Sequence, residues 1–323
     1  MSNLNKTNLG GNMLGSRRSL FRGFGGGDRF ARLSILNLKC ILAVLTAVDL
    51  YAIIFLTPGT AMYEWTRGIG RIGLPIVCFL LVEGFVKTAK RGKYALRIFL
   101  AGLVAELFWI FLWLQQRAET YTAAYESAGG DGKFGENGIK VWYDALEAKE
   151  QWNLANGIID PLNILFTLLL CFLMLTLLNS FAKRFGDSEG RNIGTTIFYT
   201  LSSAAIIIVF VFIGLAMKMT VGTMYGVLIP AVTGICFMFR NEKGTMTVML
   251  ITTSLFCALE SMVFAIAMII GTILVYCYNG KLGYDKETRP YVRTIFYAYF
   301  PAILGILVEL RYFHQIYDNF LGG

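Results

Sequence analysis

Blocks of roughly 20 consecutive apolar residues recur along most of this chain, and they limit the folds that it can adopt. A helix of about 20 residues, rising about 1.5 Å per residue, crosses the roughly 30 Å hydrocarbon core of a bilayer. Only 15% of the residues are charged, whereas a soluble domain carries about 25%. The sequence therefore predicts an all-α fold, a polytopic transmembrane helical bundle surrounded by the lipid bilayer.

Seven of these blocks are each long enough for one predicted span. They are Ile35–Leu56, Ile69–Val86, Tyr94–Leu114, Ile158–Phe181, Thr195–Met217, Thr223–Phe239 and Thr294–Phe313. An eighth stretch, Thr245–Tyr278, is too long for one ordinary span and short for two. We predict that it crosses the membrane twice and turns near Glu260, which gives about nine spans. Eight remain open if this stretch forms a re-entrant hairpin or a single tilted helix.

The distribution of Lys and Arg predicts the orientation, because cytoplasmic loops collect these residues. Residues 1–34 hold six basic residues and one acidic residue, so we predict a disordered, basic cytoplasmic tail. The segment between Val86 and Ile98 is basic without any acid, whereas residues 115–157 are acid-rich and are predicted to form an extracytoplasmic loop. Residues 35–323 are then the membrane domain of a multi-pass cell-membrane protein. Its amino terminus is predicted to be cytoplasmic and, with nine spans, its carboxyl terminus outside.

Ionisable residues within the predicted spans indicate a polar interior, because a charge in the middle of the bilayer costs a few kcal/mol (about 3) on insertion scales. They are Lys39, Asp49, Arg71, Glu83, Glu106 and Glu260. We expect Asp49 to pair with Arg71, and Glu83 with Arg97 or Lys39. Each pair could serve only to fix the helices, but six such residues together favour a functional cavity. Asn163 and Thr167 lie on one helix face and are predicted to form interhelical hydrogen bonds.

Other patterns exclude several kinds of chemistry. Gly68, Gly70 and Gly73 match the dinucleotide fingerprint, but that site needs a preceding strand, so close helix packing explains them better. The chain contains a single histidine, and its cysteines have no metal-ligand spacing, so no metal site is predicted and acid–base work would fall on carboxylates. Nothing in the basic tail suggests a folded nucleic-acid-binding domain, and no nucleic-acid partner is expected.

Four short motifs, in order along the chain, resemble the TraX family, which includes the pilin acetylase of conjugative plasmids. Residues 67–85 read RGIGRIGLPIVCFLLVEGF and resemble the family pattern R-x-x-G-R-x-x-x-P-I-x-x-F-L-x-x-E-G-F, followed by Lys93, Tyr94 and Arg97. Residues 163–169, NILFTLL, and residues 278–283, YNGKLG, are similar to two further family motifs. Residues 296–301, FYAYFP, resemble a fourth.

The resemblance implies a membrane acyltransferase that moves acetyl from acetyl-CoA, as co-substrate, to a pilin or another envelope acceptor. The residues expected to act in catalysis are Asp49, Arg71, Glu83 and Glu106. Those expected to hold the cofactor phosphates on the cytosolic side are Lys87, Lys93, Tyr94 and Arg97. Further polar residues of the interior are Asn163, Thr167, Tyr278 and Asn279. The chain departs from the family at two positions, because Leu50 and Ile303 stand where the family carries histidine.

Two other functions remain open from the sequence. The missing histidines and the acidic loop favour a non-catalytic membrane partner of a conjugation, secretion or cell-surface system. The intramembrane carboxylates would also suit a small-solute transporter, although no inverted sequence repeat is evident.

Overall fold

The computed structural model describes residues 32–127, 162–185, 193–222, 224–259, 261–284 and 291–320. Within these ranges the protein is helical, as predicted, and has no strand. The helices are α1 (Ile35–Phe55), α2 (Ala61–Arg71), α3 (Gly73–Lys87), α4 (Arg91–Ser127), α5 (Ile164–Phe185), α6 (Ile193–Thr220), α7 (Leu228–Met238), α8 (Lys243–Phe256), α9 (Met262–Tyr276) and α10 (Tyr291–Phe320).

Six stretches of the described chain are long and apolar enough to cross a membrane. They are Ile35–Phe55, Ala61–Lys87, Arg91–Gln116, Ile164–Arg184, Thr196–Thr220 and Thr294–Tyr312. Three further apolar helices, α7 to α9, have 11, 14 and 15 residues and are too short for a full span of about 20 residues. The protein is a multi-pass membrane bundle, and nine spans with the stated orientation stay a prediction.

Two predicted spans have different limits in the structure. The span Ile69–Val86 is a longer, interrupted helix that begins at Ala61, because the Thr60 side chain accepts a hydrogen bond from the Tyr63 backbone N–H, and it breaks at Ile72 between α2 and α3. The span Thr223–Phe239 was predicted too long. Tyr225 adopts a left-handed backbone with φ 54°, which ends helical geometry on the amino-terminal side of α7.

The stretch Thr245–Tyr278, predicted to cross the membrane twice, contains two helices, α8 and α9, with a short 3-10 turn at Cys257–Leu259 between them. The double crossing itself stays a prediction. Glu260, the predicted turning point, lies outside the described residues. Helix α4 continues to Ser127, well into the predicted extracytoplasmic loop. The rest of that loop and the tail at residues 1–31 also lie outside the described ranges.

Helix α3 lies at the centre of the bundle and packs against α1, α5, α7 and α9. Glycines allow the α2–α3 strip to approach its neighbours closely, as expected when lipid offers no hydrophobic advantage to helix contacts. A Cβ atom on Gly70 would clash with Asp49 on α1, and one on Gly68 would clash with Val263 on α9. Close packing therefore accounts for the glycine pattern that resembles a dinucleotide fingerprint.

One end of the bundle is here called the basic end, after the side chains of Lys39, Lys87, Lys90, Lys93 and Arg97. There the loop after α9 is bonded to the start of α1. The Leu33 N–H donates to the Cys277 carbonyl (3.0 Å), and the Asn279 N–H donates to the Leu33 carbonyl (2.8 Å). Two backbone N–H groups at the start of α1 donate to the carbonyls of Lys281 and Leu282. The loop after α9 thus satisfies donors that a helix start leaves open.

Candidate functional site

A cavity of about 730 Å³, the central cavity, runs between α1, α3, α4 and α10. At the basic end its lining includes five cationic side chains, those of Lys39, Lys87, Lys90, Lys93 and Arg97. Toward the other end its lining includes Asp49, Arg71 and Tyr225. Most of the wall between is apolar. Along the helices, the two polar regions are about 15 Å apart from Lys39 to Asp49 on α1 and about 24 Å apart from Lys87 to Arg71.

The far end of the cavity contains a cluster of two arginines, one carboxylate and one phenol, here called the deep cluster. Arg67 Nη1 lies 2.7 Å from Asp49 Oδ2, and Arg67 Nη2 donates to the Tyr225 hydroxyl at 3.4 Å. Arg71 Nε donates to the same hydroxyl at 3.1 Å, and its guanidinium carbon lies 4.4 Å from the centre of the Phe264 ring. Four segments therefore hold this cluster in place.

Asp49 uses its two carboxylate oxygens differently. Oδ2 accepts from Arg67, whereas Oδ1 is buried and has no hydrogen-bond partner among the described residues. A buried acceptor without a partner costs free energy, on the order of 1–3 kcal/mol. The Asp49 side chain also lines the cavity, whereas its Oδ1 atom lies against Gly70.

The structure corrects the predicted pairing of Asp49 with Arg71. The partner of Asp49 is Arg67, one helical turn earlier on α2 and on the same face. Arg71 lies close by but donates to Tyr225 instead. The motif at residues 67–85 contains both arginines, so the sequence could have indicated Arg67. Tyr225 has no such signal, because it lies in the irregular link before α7.

Glu83 lies at the basic end of the cavity, and its partner also differs from the prediction. The Glu83 carboxylate pairs with Lys87, one turn later on α3, at 2.5 Å, rather than with Arg97 or Lys39. Tyr278 joins this pair, because its hydroxyl accepts from Lys87 at 2.7 Å and donates to Glu83 at 3.2 Å. The Tyr278 carbonyl accepts from Lys243 at 2.9 Å. This arrangement links α3, α8 and α9.

The four predicted cofactor-binding residues, Lys87, Lys93, Tyr94 and Arg97, all line the central cavity. Tyr94 is buried and makes edge contacts with the rings of Phe172 and Tyr297, so it forms wall rather than entrance. The lysine and arginine side chains are at least partly exposed. Clustered cations in a low-dielectric opening attract phosphate groups, and an arginine can bind a phosphate through two hydrogen bonds.

Glu106 is brought to a different place from the other predicted catalytic residues. Its Oε2 accepts from the Asn163 side chain (2.5 Å) and from the Asn163 backbone N–H (3.2 Å). Asn163 Oδ1 in turn accepts from the Leu165 N–H at the start of α5 (2.9 Å), while Thr167 donates to the Met224 carbonyl. Glu106 is not among the residues lining the cavity, and its contacts fasten α5 to α4.

The remaining predicted polar residue, Asn279, takes part in the loop at the basic end. Its Oδ1 accepts from the Lys281 N–H at 2.9 Å, and its Nδ2 donates to the Arg32 carbonyl at 3.4 Å. Across the described ranges, no three His, Cys, Asp or Glu side chains come close enough to hold a metal ion.

Comparison with known proteins gives two matches. A family model described as TraX protein matches residues 35–120 and 140–311, more than half of the chain. Over 79 residues the chain is 37% identical to a probable fimbrial assembly protein FimC, serogroup H1, of Dichelobacter nodosus. That match covers 24% of the chain and 32% of the relative, so the chain spans about a third of it. No solved structure matches the chain.

Proposed function

The chain belongs to the TraX family, and from this premise we propose that it is a membrane acetyltransferase that moves acetyl from acetyl-CoA to an amine or hydroxyl of an envelope protein. The observation that carries the proposal is the central cavity, which joins a cationic opening to the deep cluster. The Dichelobacter relative is named as a probable fimbrial assembly protein, which supports a pilin as the acceptor.

The cationic opening suits the phosphates of coenzyme A, with Lys93 and Arg97 as their partners. The apolar wall between the two ends suits the uncharged arm that carries the thioester. In this arrangement the acetyl group reaches Arg71 and Asp49 at the far end of the cavity. The proposal thus assigns phosphate recognition and acyl transfer to opposite ends of one cavity.

The transfer step follows from the deep cluster. The acceptor nitrogen or oxygen attacks the thioester carbonyl, and the Asp49 carboxylate accepts the proton that this nucleophile loses. Arg71 and the Tyr225 hydroxyl donate to the carbonyl oxygen as negative charge develops on it. The carbon–sulfur bond then breaks, the thiolate of coenzyme A leaves and takes up the proton, and the acetylated acceptor remains. Arg67 holds the Asp49 carboxylate in place.

Calorimetric titration of the detergent-purified chain with acetyl-CoA tests this proposal. Lys93→Ala and Arg97→Ala should each weaken binding about tenfold, since a charge-assisted hydrogen bond contributes roughly 1.5–3 kcal/mol. Lys218→Ala, an exposed lysine of α6 away from the cavity, is the matched control. S-acetylpantetheine lacks the nucleotide phosphates, so the same variants should bind it as the unaltered chain does. No binding of acetyl-CoA at millimolar concentration by folded protein would reject the proposal.

A second candidate function is a non-catalytic partner of an envelope assembly. The observation that favours it lies at the two positions where the family resemblance implies histidine. Leu50 is 2% exposed and packs in the same apolar cluster as Ile303, so this chain has no imidazole at either position. Stoichiometric co-purification of an envelope protein, together with absent acetyl-CoA binding, would support this function over the first.

A further inference from the structure

A lipid-facing groove of about 1,070 Å³ lies between α4 and α10, outside the central cavity. On α4 its lining is one helix face, formed by Arg97, Leu100, Ala101, Val104, Phe108 and Phe111. On α10 the lining runs from Thr294 to Glu309. The groove is apolar except near its ends. Both walls belong to stretches that are long and apolar enough to span a membrane.

The length of the groove favours a helix over a lipid chain. From Arg97 to Phe111 the groove extends about 21 Å at 1.5 Å per residue. One leaflet supplies about half of the roughly 30 Å hydrocarbon core, so a lipid chain would leave part of the groove unfilled. A transmembrane helix passes through both leaflets and could occupy the groove along its whole length.

The α10 wall is suited to close contact with another helix backbone. Ala298 and Ala302 line it and are exposed, and small residues allow transmembrane helices to approach closely. The two charged residues of the groove lie near opposite ends, with Arg97 at the basic end and Glu309 close to the other membrane surface. A helix with an acid near Arg97 and a base near Glu309 would complement both.

The groove adjoins the central cavity at the basic end, where Arg97 and Tyr297 line both. A helix in the groove would therefore lie beside the opening assigned to coenzyme A. We propose that the groove binds a single transmembrane helix of a partner protein, apolar along its length, acidic at the basic end and basic at the Glu309 end. That the bound partner is also the acetyl acceptor rests on the proposed function.

Photocrosslinking to a synthetic probe tests the docking. The probe is a biotinylated Leu/Ala helix of about 20 residues, with Glu at one end and Lys at the other, inserted in lipid nanodiscs with the full chain. In the test variant, the photoreactive residue benzoylphenylalanine replaces Ile306, which lines the groove. In the control variant it replaces Leu107 of α4, which is 72% exposed and lies outside the groove. Crosslinking at position 306 should saturate with probe concentration, and crosslinking at position 107 should rise without saturation.

Reversing charges on the probe and at Glu309 tests whether charge complementarity selects the bound helix. A second probe carries Lys where the first has Glu, and Glu where the first has Lys. Inserted in the same direction, it should bind about fivefold more weakly than the first probe. Glu309→Lys should reverse this preference, so that the exchanged probe binds better. Equal crosslinking at the two positions, labelling of lipid in place of the probe, or an unchanged preference in Glu309→Lys would overturn the proposal.

Acetyl-CoA titration of the same samples separates the two proposals. Retained acetyl-CoA binding with no saturable crosslinking would reject the docking proposal and keep the acetyltransferase proposal. Saturable crosslinking with no acetyl-CoA binding would keep the docking proposal and reject the acetyltransferase proposal.

Discussion

Arg67 and Asp49 form a buried ion pair between α2 and α1, with Arg67 Nη1 2.7 Å from Asp49 Oδ2. Side-chain exposure is 9% for Arg67 and 19% for Asp49. The pair therefore has two roles, because it joins the two helices and also fixes the position of the carboxylate that the proposed reaction uses.

Asp49→Asn should destabilise the protein by about 3–5 kcal/mol, because it leaves the buried Arg67 charge without its counter-charge. The measurement is thermal unfolding in detergent. Glu64→Gln, an exposed acid on the same helix as Arg67, is the control and should unfold like the unaltered chain. The double variant Asp49→Leu with Arg67→Met should recover most of the loss; equal stability of Asp49→Asn and the unaltered chain would contradict the structural role.

Arg71→Lys should lower acetyl incorporation about tenfold or more and leave the unfolding temperature nearly unchanged. Lysine cannot reproduce the planar fork that donates to the Tyr225 hydroxyl and stacks on Phe264. Incorporation of labelled acetyl into membrane proteins of producing cells measures the effect. Lys218→Arg, an exchange of the same two residue types away from the cavity, should leave incorporation unaltered. Normal incorporation in Arg71→Lys would remove Arg71 from the mechanism.

Glu106→Ala should lower stability without lowering acetyl-CoA affinity, because Glu106 bonds the start of α5 and is not part of the cavity lining. The expected loss is about 1–3 kcal/mol, the cost of leaving buried donors of Asn163 without their acceptor. Asn163→Ala should have a similar effect, and the double variant should lose less than the sum of the two. A selective loss of acetyl transfer with unchanged stability would instead support the catalytic role predicted from the sequence.

The double variant Leu50→His with Ile303→His should raise the rate of acetyl transfer by about tenfold or more, since a well-placed general base contributes roughly 100- to 10,000-fold. Both positions lie in one apolar cluster next to the central cavity. The control is Leu50→Asn with Ile303→Asn, which adds polarity without a base. Equal rates for the histidine and asparagine variants would show that imidazole has no role at these positions.

The sequence predicted the helical bundle and several of the polar residues that line the cavity, because both depend on patterns along the chain. Apolar blocks identify membrane helices, and charges inside them mark the places where the bundle must be polar. All four predicted cofactor-binding residues line the cavity. Their spacing on α3 and α4 is local, so a sequence motif is enough to group them.

The ion-pair and hydrogen-bond partners of the site residues were harder to predict than the site residues themselves. Asp49 lies opposite Arg67 rather than Arg71 because the depth at which α1 and α2 meet is set by the turn between them and by close packing at Gly70. Tyr225 could not be found because its position depends on a left-handed backbone before α7. Hydropathy also could not show that α7 has only 11 residues, since apolarity continues where the helix does not.

The bonds between Leu33 and the loop at Cys277 to Leu282 also constrain how the protein is made. The start of α1 enters the membrane early in synthesis, yet its backbone donors find their acceptors only after about 240 further residues have been added. Insertion of the helices and closure of the bundle are therefore separate events. Until the loop after α9 has been made, these donors have only water or lipid headgroups as acceptors, and the cavity lacks the part of its wall formed by Leu282 and Tyr284.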